Sequence, residues 1–176
     1  MSEQKPTSEA DELYRRAWGP PPPKPETSMD PGHRALLVLS VMITLAVAGY
    51  TALQIPSMPE QIPVHFGFDG SVNRYGSPMT ALWLPLMMVA ITLFVAWFST
   101  KPQWMNYPFV LTEENAERVY LVGRQMMVHT AASLAAVTIG MVSHWVGWPL
   151  YWLTGTGVVL MVAASVLNIV RLFRAR

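Results

Sequence analysis

The residues best suited to bind a ligand lie in a polar stretch between the first two apolar runs, at residues 54–78. An imidazole titrates near neutral pH, and a guanidinium beside a phenol can bind an anion or a peptide. Five residues of this stretch are therefore candidate ligand-binding or partner-binding residues: His65, Asp69, Asn73, Arg74 and Tyr75. A metal site needs three or four converging ligands. The stretch offers too few, so we predict no metal site.

Each of these residues also has a structural interpretation. His65 can be a structural histidine bonded to the loop backbone, or it can sense pH. Arg74 can pair with Asp69 across a hairpin, and Tyr75 can pack at a membrane interface. The sequence leaves these alternatives open.

A second charged group follows the second apolar run, in residues 99–125. Thr112 is a suitable N-cap, and the acidic residues after it suit the positive end of a helix dipole. We predict that this helix is an amphipathic lead-in to the third apolar run. The alternative is a cytoplasmic docking face formed by Glu113, Glu117 and Arg118.

Two histidines lie inside the third apolar run, His129 near its start and His144 near its end. Titratable groups at membrane depth often have functions, but both residues are close enough to an interface to reach water. We therefore predict structural or interfacial roles for them. The chain has no motif of a serine hydrolase, phosphate-binding loop, dinucleotide-binding fold or zinc protease. We predict no enzyme activity, no catalytic residue and no cofactor.

The composition indicates that lipid is the main solvent of this chain. Of its 176 residues, 52% are hydrophobic and 13% are charged, whereas a soluble domain carries about 25% charge. A membrane helix needs roughly 20 apolar residues. Four runs meet that length: 35–53, 79–98, 126–145 and 150–170. We predict an all-α membrane protein with four transmembrane helices.

Lysine and arginine predict the orientation of these helices. They are frequent in residues 1–34, 99–125 and 171–176, but residues 54–78 contain only Arg74. We therefore predict a plasma-membrane protein with both termini in the cytoplasm and residues 54–78 outside. Asp69-Gly70 between apolar flanks favours a tight hairpin turn, because a type I′ turn needs positive φ. This hairpin is expected to form a small extracytoplasmic cap.

The flanking segments are polar. Residues 1–34 contain the run Pro20–Pro23, which blocks helix continuation, and we predict a disordered, Pro-rich cytoplasmic tail. The alternative is a docking peptide anchored by Tyr14 and Trp18. Residues 171–176 are a short basic cytoplasmic tail.

Two regions of the chain, each with two short motifs, resemble a known family. PVHF at residues 63–66 and NRYGS at residues 73–77 resemble the domain-of-unknown-function 1648 family of small bacterial membrane proteins. NYP at residues 106–108 and LTEENAER at residues 111–118 resemble the intracellular segment of its stand-alone members. The domain also occurs in SdpI-like toxin immunity proteins. The resemblance therefore implies a bacterial envelope protein with four spans.

The sequence departs from the family pattern at two positions. Asn73 stands where the resemblance implies an acidic residue, and Pro78 stands where it implies lysine. A charge pair between these positions is therefore absent. The longer architecture of the SdpI-like proteins is absent as well.

These observations favour a non-enzymatic envelope protein for binding, immunity or signalling, acting through its outward loop. The alternative is a small transporter or an accessory subunit of a transport complex. The expected partners are the lipid bilayer and a peptide or another membrane protein, and a homo-oligomer is left open. The net charge of +1 argues against nucleic-acid binding.

Overall fold

Four long helices form the body of the protein. The computed structural model describes residue 13, residues 22–67 and residues 70–176. Its helices are α1 (Pro31–Gln54), α2 (Thr80–Ser99), α3 (Ala116–Val146) and α4 (Trp152–Ala175). Each is long and apolar enough to cross a membrane. Because lipid offers no hydrogen-bond partner to a peptide group, such segments must be helical. The predicted all-α membrane fold with four transmembrane helices is confirmed.

The first helix starts earlier than predicted, at Pro31 instead of residue 35. Asp30 caps it, because its carboxylate accepts a hydrogen bond from the backbone N–H of His33 at 3.1 Å. Proline suits the first helical position, where its missing N–H costs nothing. Residues 31–34 are therefore the first turn of α1 and not part of a disordered tail.

The lead-in helix predicted after Thr112 starts later than predicted, at Ala116. Thr112 and Asn115 form a turn before it, in which Asn115 Oδ1 accepts from the Thr112 N–H at 2.9 Å and Thr112 Oγ1 accepts from the Asn115 N–H at 3.3 Å. Helix α3 then runs without a break from Ala116 to Val146. The predicted lead-in helix and third span are thus one helix, which ends where Gly147 adopts a positive φ of 73°.

Helix α3 is the centre of the bundle, since it packs against each of the other three helices, and α4 packs mainly on α3. The contact between α3 and α4 is close. A Cβ atom on Gly140 would overlap the backbone of Thr154, and one on Gly157 would lie 2.7 Å from a methyl group of Val137. Small residues at such a crossing let helix backbones approach in a membrane.

The predicted hairpin joins α1 to α2. Strands β1 (Ile62–Phe66) and β2 (Val72–Gly76) pair antiparallel, with His65 opposite Arg74 and an irregular register between Pro63 and Phe66. Gly70 in the turn has a φ of 80°, which favours glycine. A 3₁₀ turn at Ile55–Ser57 links α1 to this hairpin.

Candidate functional site

The helix bundle has two ends with different structures. The hairpin face consists of the hairpin, the end of α3 and the start of α4. The terminal face consists of residues 22–30, residues 100–115, the starts of α1 and α3, and the end of α4. Residues 22–30 are named the N-terminal strap.

The hairpin is attached to the bundle through β1. The Trp145 indole N–H donates to the Pro63 carbonyl oxygen at 2.6 Å. The ring centroids of Phe66 and His144 are 4.7 Å apart, and His144 lies 5.7 Å from Tyr151. Strand β1 therefore faces the helices, while residues 72–75 of β2 are all exposed.

A cavity of about 650 Å³ lies under the hairpin, within the usual range of ligand pockets. Its walls are mostly apolar, and their polar groups include the imidazoles of His65 and His144 and the hydroxyl of Thr154. The Thr154 hydroxyl is buried and has no hydrogen-bond partner among the described residues. The hairpin cavity is lined by Val64, His65, Phe66, Gly70, Thr80, Trp83, Leu84, Met87, Met141, His144, Trp145 and Thr154.

The predicted binding residues occupy different positions around this cavity. The exposed side chain of His65 lines it, and Arg74 is the cross-strand neighbour of His65. Asn73 and Tyr75 lie on exposed β2, where Asn73 Oδ1 accepts from the Ser71 hydroxyl at 3.2 Å. Asp69 lies outside the described residues, and so does its predicted pairing with Arg74.

The interpretation of His65 as a structural histidine bonded to the loop backbone stays a prediction. His65 is exposed on β1, and no described residue forms a hydrogen bond with its imidazole. Its ring lines the hairpin cavity.

Sequence reasoning missed most of the cavity wall. Trp83 and Met87 come from α2, Met141 from α3 and Thr154 from α4. Met and Trp at helical spacing resemble ordinary lipid-facing or core residues, so only the packing of three helices identifies them. His144, predicted as structural or interfacial, both packs against Phe66 and lines the cavity.

At the terminal face, the N-terminal strap is bonded to the start of α3. The Glu117 carboxylate accepts from the Glu26 N–H at 2.5 Å, from the Thr27 N–H at 3.2 Å and from the Thr27 hydroxyl. The mostly buried Arg124 donates to the Thr27 carbonyl oxygen. The described part of the predicted disordered tail is therefore held against α3, because side chains of α3 bind its backbone groups.

The predicted docking residues of this region differ in what they contact. Glu117 binds the strap, and Arg118 Nε lies 3.5 Å from the Ala175 carbonyl oxygen at the end of α4. Glu113 is exposed in the turn before α3. Two of the three residues thus bind this chain's own segments. Tyr14 and Trp18, the predicted anchors of a docking peptide, lie outside the described residues.

Tyr107 of the NYP stretch holds the loop between α2 and α3 against α3. Its hydroxyl donates to the Pro102 carbonyl oxygen at 3.0 Å. A Cβ atom on Gly123 would lie 2.6 Å from that hydroxyl, so glycine makes room for the ring. Burial raises the pKa of Tyr107 above its ordinary value. The tyrosine is therefore a neutral packing residue at physiological pH.

A series of contacts between polar side chains connects α1, α3 and α4 near the terminal face. His33 Nδ1 lies 2.8 Å from the Asp30 carboxylate, and this hydrogen bond, with that of the His33 backbone N–H, lowers the pKa of Asp30. The His33 ring lies edge-on to the His129 ring at 5.4 Å. Asn168 donates to His129 Nδ1 at 3.0 Å and accepts from Arg171 at 3.3 Å. Of these residues, only His129 was a candidate from the sequence, and Arg171, which was expected to begin a basic tail, lies within α4.

These features define a multi-pass membrane protein with a hairpin between its first two spans. Residues 42–89 match the model of the domain of unknown function DUF1648, and the predicted family resemblance is confirmed. No curated protein and no solved structure matches the chain. The matched region covers the second half of α1, the hairpin and the first half of α2. It contains the hairpin-cavity residues of the hairpin and α2, whereas those of α3 and α4 lie outside it.

Proposed function

We propose that this protein is a non-enzymatic recognition protein of the plasma membrane, which binds a segment of an envelope peptide or membrane protein at its hairpin face. The observation that carries the proposal is the apolar hairpin cavity beside the exposed strand β2. Binding, immunity and signalling roles all begin with this recognition step.

The two strands of the hairpin are suited to different tasks. One edge of β1 is turned to α3 by the bond from Trp145 to Pro63. Strand β2 pairs with β1 on one side, and among the described residues no third strand covers its other side. An extended peptide can add to such a free edge through backbone hydrogen bonds. An apolar side chain of that peptide would then enter the adjacent cavity.

The polar residues at the rim add selectivity to this arrangement. His65 and Arg74 are cross-strand neighbours beside the cavity entrance. A guanidinium donates several hydrogen bonds and favours carboxylate groups. We therefore expect a partner segment that combines an apolar anchor with a carboxylate.

The charge distribution supports placing the hairpin outside the cell. Arg74 is the only lysine or arginine between residues 54 and 78, whereas residues 171–176 alone contain three arginines. Cytoplasmic flanks of membrane helices carry the excess of these residues. The terminal face would accordingly lie in the cytoplasm.

A second candidate function, a small transporter or accessory subunit, is favoured by two cavities along the seam between α3 and α4, one near each face. Between them, Gly140 and Gly157 bring the two helices into contact. Transport between the two cavities would require α3 and α4 to separate at this contact. Solute flux into liposomes that contain the purified protein distinguishes this candidate, since a recognition protein produces none.

Site-specific photo-crosslinking tests the recognition proposal. A benzoylphenylalanine replaces Tyr75 on β2 or Trp83 at the cavity, and the matched control position is Val110 on the terminal face, which is also exposed. In intact cells we expect the first two positions to give adducts with the same peptide or protein partner. The control position should not give this adduct.

A variant that fills the hairpin cavity tests whether the adduct depends on that cavity. Met141→Trp fills the hairpin cavity and should reduce the adduct at position 75 at least about tenfold, which corresponds to a loss of roughly 1.4 kcal/mol of binding. Met42→Trp makes the same change on the exposed surface of α1 and should leave the adduct intact. Equal adducts in both variants, or lipid adducts alone, would contradict the proposal. Membrane yield and thermal unfolding verify that each variant has folded.

A further inference from the structure

A second pocket, of about 450 Å³, lies between α3 and α4 on the side of the terminal face. Its polar end is formed by His129, Asn168 and Arg171, and the rest of its wall is almost entirely apolar. We name it the α3–α4 pocket. It is lined by His129, Ala132, Ser133, Leu160, Ala163, Ala164, Leu167, Asn168 and Arg171.

The polar end of this pocket contains one arginine, Arg171, that is suited to bind an anion. Arg171 donates to Asn168 Oδ1 at 3.3 Å, and no acidic side chain among the described residues forms an ion pair with it. Guanidinium has five N–H donors in a planar fork, so most of them remain for a ligand. Asn168 is 2% exposed and holds the arginine toward the pocket.

The apolar wall extends from this cation along the membrane. Leu160 and Leu167 are more than half exposed, so the pocket opens at the lipid-facing surface of α4. From Leu160 to Arg171 a helix rises about 16 Å, which matches roughly half of the hydrocarbon thickness of a bilayer. A ligand of this site must therefore be anionic at one end and apolar over the length of one leaflet.

We propose that the α3–α4 pocket binds an anionic phospholipid, with its phosphate on Arg171 and an acyl chain along Leu160, Ala164 and Leu167. Charge complementarity supports this occupant, because Arg174 follows Arg171 on the same helix and residues 150–176 contain no acidic residue. Basic pockets between helices on the cytoplasmic side of membrane proteins bind such headgroups. A free phosphate would gain nothing from the apolar wall.

Native mass spectrometry of the full chain tests this proposal. The protein is released from vesicles that contain equal amounts of phosphatidylglycerol and phosphatidylcholine, and the bound lipids are counted. We expect preferential retention of phosphatidylglycerol and a roughly tenfold weaker retention in Arg171→Gln. Arg176→Gln removes the same charge outside the pocket and should retain the lipid.

Two further measurements, on a variant of the apolar wall and with competing inorganic phosphate, distinguish a bound phospholipid from a bound phosphate. Ala164→Trp obstructs the apolar wall and leaves Arg171 in place, so it should also reduce retention, whereas millimolar inorganic phosphate should not displace the lipid. Equal retention of both lipids, equal losses in Arg171→Gln and Arg176→Gln, or displacement by phosphate would each overturn the proposal. Arg171→Lys keeps the charge and should restore part of the retention, which separates ligand binding from misfolding.

Discussion

The two faces of the bundle are built differently. At the terminal face, charged and hydroxyl side chains of α3 bind the N-terminal strap, and Arg118 reaches the end of α4. At the hairpin face, an indole hydrogen bond from Trp145 and a ring contact between Phe66 and His144 attach the hairpin above a large apolar cavity. The chain's own N-terminal strap therefore covers the start of α3 at the terminal face, while the hairpin face keeps a cavity and an exposed strand.

This difference indicates where a partner can bind without first displacing the chain itself. A docking protein at Glu117 would compete with three hydrogen bonds from residues 26 and 27. A peptide at β2 would meet a strand whose side chains are already exposed.

The largest effect is expected at the helix crossing that separates the two cavities. Gly140→Leu introduces a side chain against the Thr154 backbone, and overpacking at such a site should lower the free energy of unfolding by about 3 kcal/mol. Gly155→Leu is the matched control on α4, because a Cβ atom there meets nothing within 4 Å. Unfolding by SDS in mixed micelles measures both. Equal stability of the two variants would refute the close crossing.

At the terminal face, Arg124→Gln should detach the strap. The arginine is 6% exposed and donates to the Thr27 carbonyl oxygen, so its loss should cost about 2 kcal/mol of unfolding free energy. Arg118→Gln, whose hydrogen bond is long, should cost less than about 1 kcal/mol. A nitroxide attached at Ser28→Cys should become more mobile only in the first variant. Unchanged mobility would mean that the strap is not held by α3.

At the hairpin face, Trp145→Phe removes the indole donor to the Pro63 carbonyl oxygen. The hairpin should lose about 1 kcal/mol of local stability, and its amides should exchange hydrogen several-fold faster. Trp152→Phe is the control, because that side chain is more than half exposed and lies outside the hairpin contact. Faster exchange in both variants, or in neither, would show that Trp145 does not anchor the hairpin.

The smallest effect concerns acid pH at the start of α1. Because hydrogen bonds with His33 place the pKa of Asp30 in the folded protein below its ordinary value of 3.8, the charged cap stabilises the fold above that value. This contribution should disappear as the pH falls below 3.8 and through the folded pKa. Thermal unfolding from pH 6 to pH 3 should therefore show a smaller acid-dependent loss in Asp30→Ala than in the parent protein. Identical pH profiles would contradict this cap.

The sequence predicted the parts of this structure that depend on local solvent and turn chemistry. Uncharged runs of about 20 residues must be helical in lipid, and Gly70 supplies the positive φ that the hairpin turn needs. Helix ends were less predictable. Asp30 and Pro31 extend α1 by one turn, and the reciprocal bonds between Thr112 and Asn115 delay α3.

The sites depended on contacts that no linear pattern contains. His65 and Arg74 were recognised because both lie in the hairpin, nine residues apart. Asn168 and Arg171 were not recognised, because only the packing of α4 on α3 places them beside His129. The strap was likewise missed, because a Pro-rich polar segment has no apolar periodicity and is held by side chains about 90 residues away.

The most direct test of the central claim is the accessibility of the two faces in intact cells. The sequence contains no cysteine, so in each single variant the maleimide labels this protein only at the introduced cysteine. An impermeant maleimide should label Ser71→Cys on the hairpin face in intact cells, and should label Thr112→Cys on the terminal face only after lysis. Labelling of Thr112→Cys in intact cells, with Ser71→Cys protected until lysis, would contradict the orientation and the proposed recognition surface.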